Sequence, residues 1–265
     1  MKIFIFVDGE GATGVVSYDR QSQPGSFHYQ EARENLMSDL NSAVEGTVAG
    51  GASEIVIYDM HYWGLNVIIS KLHPAAKVVM GKPKVIAPEN GLDETCQGLM
   101  MVGFHAKAET PGALLAHTYS LEARDLSING LSVGEIGMET ALAGEVGVPL
   151  IFVSGDSKCL DEARAFSENV EVVAVKEPIA NHGALCLPTA ATAKLIKQAA
   201  ERAVRNISSF VPYKIDYPVT VEIEYYDQNK ANEKLTVPGV KAVGPHKVSA
   251  QADSLRQAWL KLKPE

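Results

Sequence analysis

Short apolar runs recur along the chain, at KIFIFV (2–7), EIVIYD (54–59), GLMMVGF (98–104), PLIFVS (149–154) and VEVVAV (170–175). Runs of this length, bounded by polar or glycine-containing stretches, are the mark of strands buried on both faces. Between the first two the rhythm changes. Ala32, Leu36, Leu40, Ala43, Val44 and Val48 follow the three-and-four spacing of one helix face, which predicts a helix over 29–49 ended by Gly50–Gly51. The stretches 135–146, 157–168 and 189–205 read as further helices. Strands and helices alternating in this way predict an α/β fold, a mostly parallel sheet flanked by helices. After VPYKIDYP (211–218) the texture shifts: VTVEIEYY alternates like a half-exposed strand and SLRQAWLKL closes as an amphipathic helix. We read 1–210 as an α/β catalytic domain and 211–265 as a small C-terminal α+β subdomain.

Composition narrows the class. The 265 residues suffice for one large domain with a modest appendage. A net charge of −8 and the lack of any Lys/Arg run argue against a nucleic-acid binder, which needs a basic surface. The opening MKIFIFVDGE meets acids after six apolar residues, too soon for a signal peptide or a membrane span. Cys96, Cys159 and Cys186 are scattered, so small buried hydrophobes are expected and a disulfide framework is not. The expectation is a cytoplasmic protein.

The first strand runs into FVDGEGATGVV, where Gly9, Gly11 and Gly14 spell the G-x-G-x-x-G of dinucleotide-binding loops. That loop needs a helix starting at its third glycine and a ribose-binding acid about 20 residues on. Here Gly14 is followed by VVSYDRQSQPGSFHY, which has no helical stripe, and the next strand ends only at Asp59. Glu10 inside the loop would also repel a phosphate. The pattern fails its context.

What remains are Asp8 and Glu10, two apart at a strand's C-terminal end. Two carboxylates held together need a proton or a cation between them. The second strand ends in YDMHYWG, with Asp59 and His61 at its end, and the third in VGFHAKAETPG, with His105. Open α/β sheets bind ligands at this carboxyl rim. In INGLSVGEIGMETALAG, Asn129–Gly130 is a hairpin signal, and Glu135 follows Gly134 where a helix begins. Each residue has an ordinary explanation on its own, and His28, His73, His182 and His246 are assigned to ordinary roles. Jointly, mixed imidazole and carboxylate groups suit zinc or another divalent metal. Two ions sharing a bridging carboxylate would use all five of Asp8, Glu10, His61, His105 and Glu135. His117, beyond a Pro-Gly turn, is the candidate general acid/base. A peptidase, an amidohydrolase acting on non-peptide amides, a nucleotide- or nucleoside-binding α/β enzyme and a metal-binding protein without turnover all stay open at this point.

With these residues assembled, the chain resembles the M55 family of metallopeptidases over nearly its whole length. The likeness rests on VDGEG, YDMH followed by GLN, KLHP, GLDETCQG, GFHAKAETPGALLAHT, ING with VGEIG, and GVPLIFVSGD, in that order. It implies two zinc ions on Asp8, Glu10, His61, His105 and Glu135, with His117 as the catalytic histidine. It also implies removal of N-terminal D-amino acids from short peptides and a ring-shaped homo-oligomer. Two places depart from the family's pattern. Asn181 and His182, in KEPIANHGALCLP (176–188), stand where a basic segment is expected, and Tyr62–Trp63 where smaller polar residues are. Substrate choice or a subunit contact is what those departures put in question.

Overall fold

The apolar runs pair as a parallel sheet, and their alternation decides which face each residue serves. The structure is a computed structural model and describes residues 1–81 and 85–263. In chain order its elements are β1 (Lys2–Val7), α1 (Tyr29–Ala49), β2 (Glu54–Asp59), β3 (Ala76–Val79), β4 (Cys96–Phe104), β5 (Ala123–Ile128), β6 (Leu131–Val133), α2 (Glu135–Glu145), β7 (Leu150–Asp156), α3 (Cys159–Phe166), β8 (Glu171–Ala180), β9 (Gly183–Cys186), α4 (Thr189–Arg205), β10 (Val219–Tyr225), α5 (Gln228–Lys234), β11 (Val240–Ala242), β12 (Lys247–Ala252) and α6 (Leu255–Leu262). A seven-stranded sheet runs β3-β2-β1-β4-β7-β8-β9. Its pairs are parallel except β8 with β9.

Along β1, Ile3, Ile5 and Val7 pack with Leu36, Leu40 and Val44 of α1 and Ile196, Ala199 and Ala203 of α4. Phe4 and Phe6 point the other way, into a core shared with Ile136 of α2 and Cys159, Leu160 and Ala163 of α3. Period-two alternation in one strand therefore serves both covered faces. Burying side chains of this size contributes roughly 1.5–3 kcal/mol each.

The strand order reverses at β1, which has β2 on one side and β4 on the other. The carboxyl ends of β1 and β4 therefore meet at the switch point, where α/β sheets bind ligands.

A second, antiparallel sheet runs β11-β12-β10-β5-β6. It joins the C-terminal strands to a hairpin from the middle of the chain, whose turn is Asn129–Gly130 with φ of 50° and 81°. Met138, Ala141 and Leu142 of α2 pack with Val221, Ile223 and Trp259 in this sheet's core. Helix α2 thus lies between the two sheets, which is why every residue from Glu135 to Ala143 is buried. Its last residue, Glu145, accepts the backbone N–H groups of Leu255 and Arg256 at 2.6 and 3.0 Å and so caps α6.

No helix among the described residues is long and apolar enough to cross a membrane. Cys96 and Cys159 are buried, Cys186 is partly exposed, and all three thiols are free.

Candidate metal centre

The glycines after β1 serve a close approach between loops. Gly11 donates its N–H to Gly103 O at 2.8 Å, and a Cβ on Gly11 would lie 1.7 Å from Phe104 O. A Cβ on Gly9 would meet the His61 ring at 2.8 Å. The G-x-G spacing lets the loop press against β4 and lets His61 lie across it. After Gly14 the chain forms no α-helix until Tyr29, so no helix N-terminus faces the loop as a pyrophosphate would require.

Four segments deliver buried polar side chains to this corner. The loop after β1 brings Asp8 and Glu10, the loop after β2 brings His61, β4 runs out at His105, and α2 starts with Glu135. His61 Nδ1 lies 3.1 Å from Asp8 Oδ1 and 2.9 Å from Glu10 Oε2. His105 Nε2 is 3.3 Å from both Asp8 Oδ2 and Glu135 Oε1. His117 stacks on His105, ring centroids 4.0 Å apart and 11° from parallel, with its Nε2 3.9 Å from Glu135 Oε1.

The remaining ring nitrogens settle which way each imidazole faces. His61 Nε2 donates to Ser22 O at 3.0 Å, His105 Nδ1 to Ala106 O at 2.9 Å, and His117 Nδ1 to Leu115 O at 3.0 Å. A carbonyl only accepts, so these nitrogens carry hydrogens and the opposite nitrogens face the cluster. The carboxylates are oriented too. Ser22 Oγ donates to Glu10 Oε1 at 2.5 Å, and Tyr119 N–H to Glu135 Oε1 at 2.7 Å. Glu162 of α3 accepts Gly134 and Gly137 N–H at 2.5 and 3.1 Å, fixing the turn that presents Glu135.

Each titratable group leans on its neighbours. Burial alone would lower His61, but the Glu10 and Asp8 carboxylates hold it well above its ordinary value. Burial also opposes the charged form of His105, yet Glu135 and Asp8 raise it to about 10. Burial would raise Glu10, and the His61 imidazolium overrides it and holds that carboxyl well below the usual range. Asp8 is pushed up by burial and by Glu10. His117 differs: burial and the neighbouring His105 charge lower it, keeping it neutral near pH 7.

Three atoms test whether the cluster fits a cation. Asp8 Oδ2, Glu10 Oε2 and His105 Nε2 are buried and form no well-aligned hydrogen bond, facing only one another's carboxylate and imidazole neighbours at 2.9–3.3 Å. Buried polar atoms without a formed hydrogen bond are costly unless something else satisfies them. Potential ligand atoms gather within 4.8 Å of one another in the groups Asp8–Glu10–His61, Asp8–His105–Glu135 and Glu10–His105–His117. Two oxygens and a nitrogen with imidazole support are a donor set zinc accepts.

The model of the M55 peptidase family, described as D-aminopeptidase, matches residues 1–263. The chain belongs to the M55 peptidase family. Among M55 relatives, the D-aminopeptidase of Bacillus subtilis (strain 168) is 29% identical over 260 residues, 98% of this chain and 94% of that protein. A solved structure, described as the Zn-dependent D-aminopeptidase DppA from Bacillus subtilis, a self-compartmentalizing protease, superposes with a TM-score of 0.94. It is 28% identical and covers 98% of this chain and 95% of its own. The α/β architecture is therefore shared with that solved D-aminopeptidase.

All six candidate residues meet in one corner; Asp59 does not join them. Its buried carboxylate accepts Asn66 N–H, Asn66 Nδ2 and Val67 N–H at 2.6, 2.7 and 2.9 Å, shaping the loop that carries His61. Sequence reading passed over Ser22 and Tyr18, which lie on a π-helical turn (Tyr18–Ser22) in a stretch without apolar periodicity. Tyr18 Oη donates to Leu115 O and sits 3.0 Å from His117 Nδ1. His182 reaches the same rim: its ring lies 6.3 Å from that of Tyr18, and Asn181 O accepts Leu115 N–H. Asn181 and His182 therefore border the loop carrying His117. Tyr62, at φ 53°, and Trp63 follow His61 with much of their rings exposed.

Proposed function

We propose that this M55 peptidase is a zinc-dependent aminopeptidase releasing N-terminal D-amino acids from short peptides. Two ions would be held by Asp8, Glu10, His61, His105 and Glu135. The reading rests on those three buried atoms, gathered around an Asp8 common to two ligand triads. Asp8 would be the carboxylate best placed to serve both ions, with Glu10, His61, His105 and Glu135 supplying the other donors. Zinc bound there supplies Lewis acidity, polarising an amide carbonyl and acidifying water toward neutrality. His117 is the proton carrier. With Nδ1–H committed to Leu115 O, its Nε2 is free to take a proton and to return it to the leaving amine.

The substrate class follows the names of the family and of the relatives, and D-selectivity is proposed on that ground. From the self-compartmentalizing relative we extend a ring-shaped homo-oligomer to this chain. The β8–β9 hairpin at the sheet's edge exposes Ile179 and Leu185, an apolar edge suited to burial between copies. Elemental analysis after zinc loading and dialysis is the test, followed by hydrolysis of matched D- and L-aminoacyl peptides. The expected result is about two zinc ions per chain and preference for the D series. A chain that retains no zinc overturns the reading.

A further inference from the structure

Lys176, on β8, is the one lysine among the large, fully buried side chains of the described residues. Its ammonium reaches beneath the loop after β1 and donates to Glu10 O at 2.6 Å, Ala12 O at 2.8 Å and Val15 O at 2.5 Å. An ammonium has three N–H donors, and here all three go to backbone carbonyls of one loop. A buried ammonium costs several kcal/mol to desolvate, so packing alone does not explain a lysine where methionine would fill the space. What the lysine adds is a shape. It draws three carbonyls between Glu10 and Val15 to one point, while the Glu10 carboxylate is met by Ser22 and His61.

We infer that Lys176 is a positioning residue for the metal corner, clamping the loop from below so that the Asp8 and Glu10 carboxylates converge before any metal arrives. The inference rests on the metal-centre reading above and adds a residue outside the ligand set. The loop has a second, separate anchor. Thr13 N–H and Thr13 Oγ1 each donate to Asp39 of α1 at 2.8 Å, and Thr13 Oγ1 lies 2.9 Å from Thr192 Oγ1 of α4. That anchor touches neither carboxylate and serves as the comparison. It also keeps the loop attached when the lysine is lost.

The test compares wild type, Lys176→Met and Thr192→Val, each folded by circular dichroism and held well below its melting temperature. Zinc affinity is read by competition with a chromophoric chelator, and ligand geometry by the visible absorption of the cobalt-substituted protein. Wild-type zinc uptake checks the metal-centre reading by itself. For Lys176→Met, the expected results are a zinc dissociation constant raised by about tenfold or more and an altered cobalt spectrum. That size matches loss of an outer partner of a metal site. Thr192→Val is expected to melt lower with both readouts at wild-type values. A Lys176→Met protein that melts lower but keeps wild-type zinc affinity and cobalt spectrum overturns the inference, since a purely structural lysine would behave so. If Lys176→Met does not fold, Lys176→Gln, which keeps two of the donors, is read in the same way.

Discussion

Two pairs of acids spaced two residues apart stand in this chain with opposite fates. Glu222 and Glu224 lie on β10, where buried Val219, Val221, Ile223 and Tyr225 alternate with half-exposed neighbours. Their carboxylates meet Lys247 at 2.7 Å and Arg124 at 3.3 Å near solvent. Asp8 and Glu10 follow β1 directly and are almost wholly buried, with an oxygen of each facing only an imidazole nitrogen in poor hydrogen-bond geometry. Residue type and spacing are alike; surroundings differ. On β10 the acids obey the alternation and are solvated, whereas after β1 they break it and are pressed among imidazoles. A carboxylate kept where the local rule would exclude it marks the place where chemistry outweighs stability.

Substitutions can break or sharpen this contrast. The largest effect is expected from Asp8→Asn, at one of the three residues (with Glu10 and His105) that each belong to two triads: zinc affinity should fall by well over the roughly 10–100-fold that loss of an outer partner costs. Equilibrium dialysis against zinc checks it, and wild-type affinity would end the equivalence between burial and metal binding. His117→Ala comes next. Metal content should stay at the wild-type level while kcat drops by about 10²–10⁴, the usual worth of general acid–base catalysis. Steady-state kinetics on zinc-loaded enzyme decides, and near-normal turnover removes His117 from the reaction.

Glu139, one turn along α2 from Glu135, lies between the two regions. Burial pushes its carboxyl up to about 7, despite the hydrogen bond it accepts from Tyr119 Oη at 2.7 Å. Because the folded value exceeds the ordinary 4.5, the folded chain keeps a proton through a window in which the unfolded chain has lost it. Stability therefore falls as pH rises from about 4.5 to 7. Glu139→Gln keeps an acceptor for Tyr119 and removes this loss. In chelator-treated protein it should gain about 1–3 kcal/mol at pH 7 and little at pH 4, by denaturant melts at both. An equal gain at the two values would break the assignment. The smallest effect belongs to the solvated pair. Glu222→Gln and Glu224→Gln should each change stability by under about 1 kcal/mol and leave zinc affinity unmoved.

The legible parts of the fold are those governed by local periodicity. KIFIFV, EIVIYD and the helices 29–49 and 189–205 form β1, β2, α1 and α4 with the boundaries read from the pattern. The short edge strand β3 escaped notice because its four residues are at most half-buried and carry no alternation. The β8–β9 hairpin hid in KEPIANHGALCLP, where Pro178 and scattered polar residues mask the pairing. The second sheet was half legible: β10 and the Asn129–Gly130 turn announce themselves, but nothing local says that β10 pairs with β5 across some ninety residues of chain. In the candidate site, Asp8, Glu10, His61, His105 and Glu135 stood at or just past strand ends or at a helix start, where chemistry-bearing residues are conspicuous, and His117 followed a Pro-Gly turn beside them. Lys176 and Ser22 did not. One sits inside an apolar strand and the other on a π-helical turn, and each meets the loop after β1 only in three dimensions.

Helix α2 gives the molecule a single shared wall. Its first residue belongs to the acidic corner, its flank to the core of the antiparallel sheet, and its last residue to the start of the closing helix. An ancestor or a designer could not shorten this chain to its parallel sheet and keep the corner intact. Cutting the tail would strip one side of the helix that presents Glu135. The C-terminal strands are thus inherited with the chemistry, as ballast is with a keel.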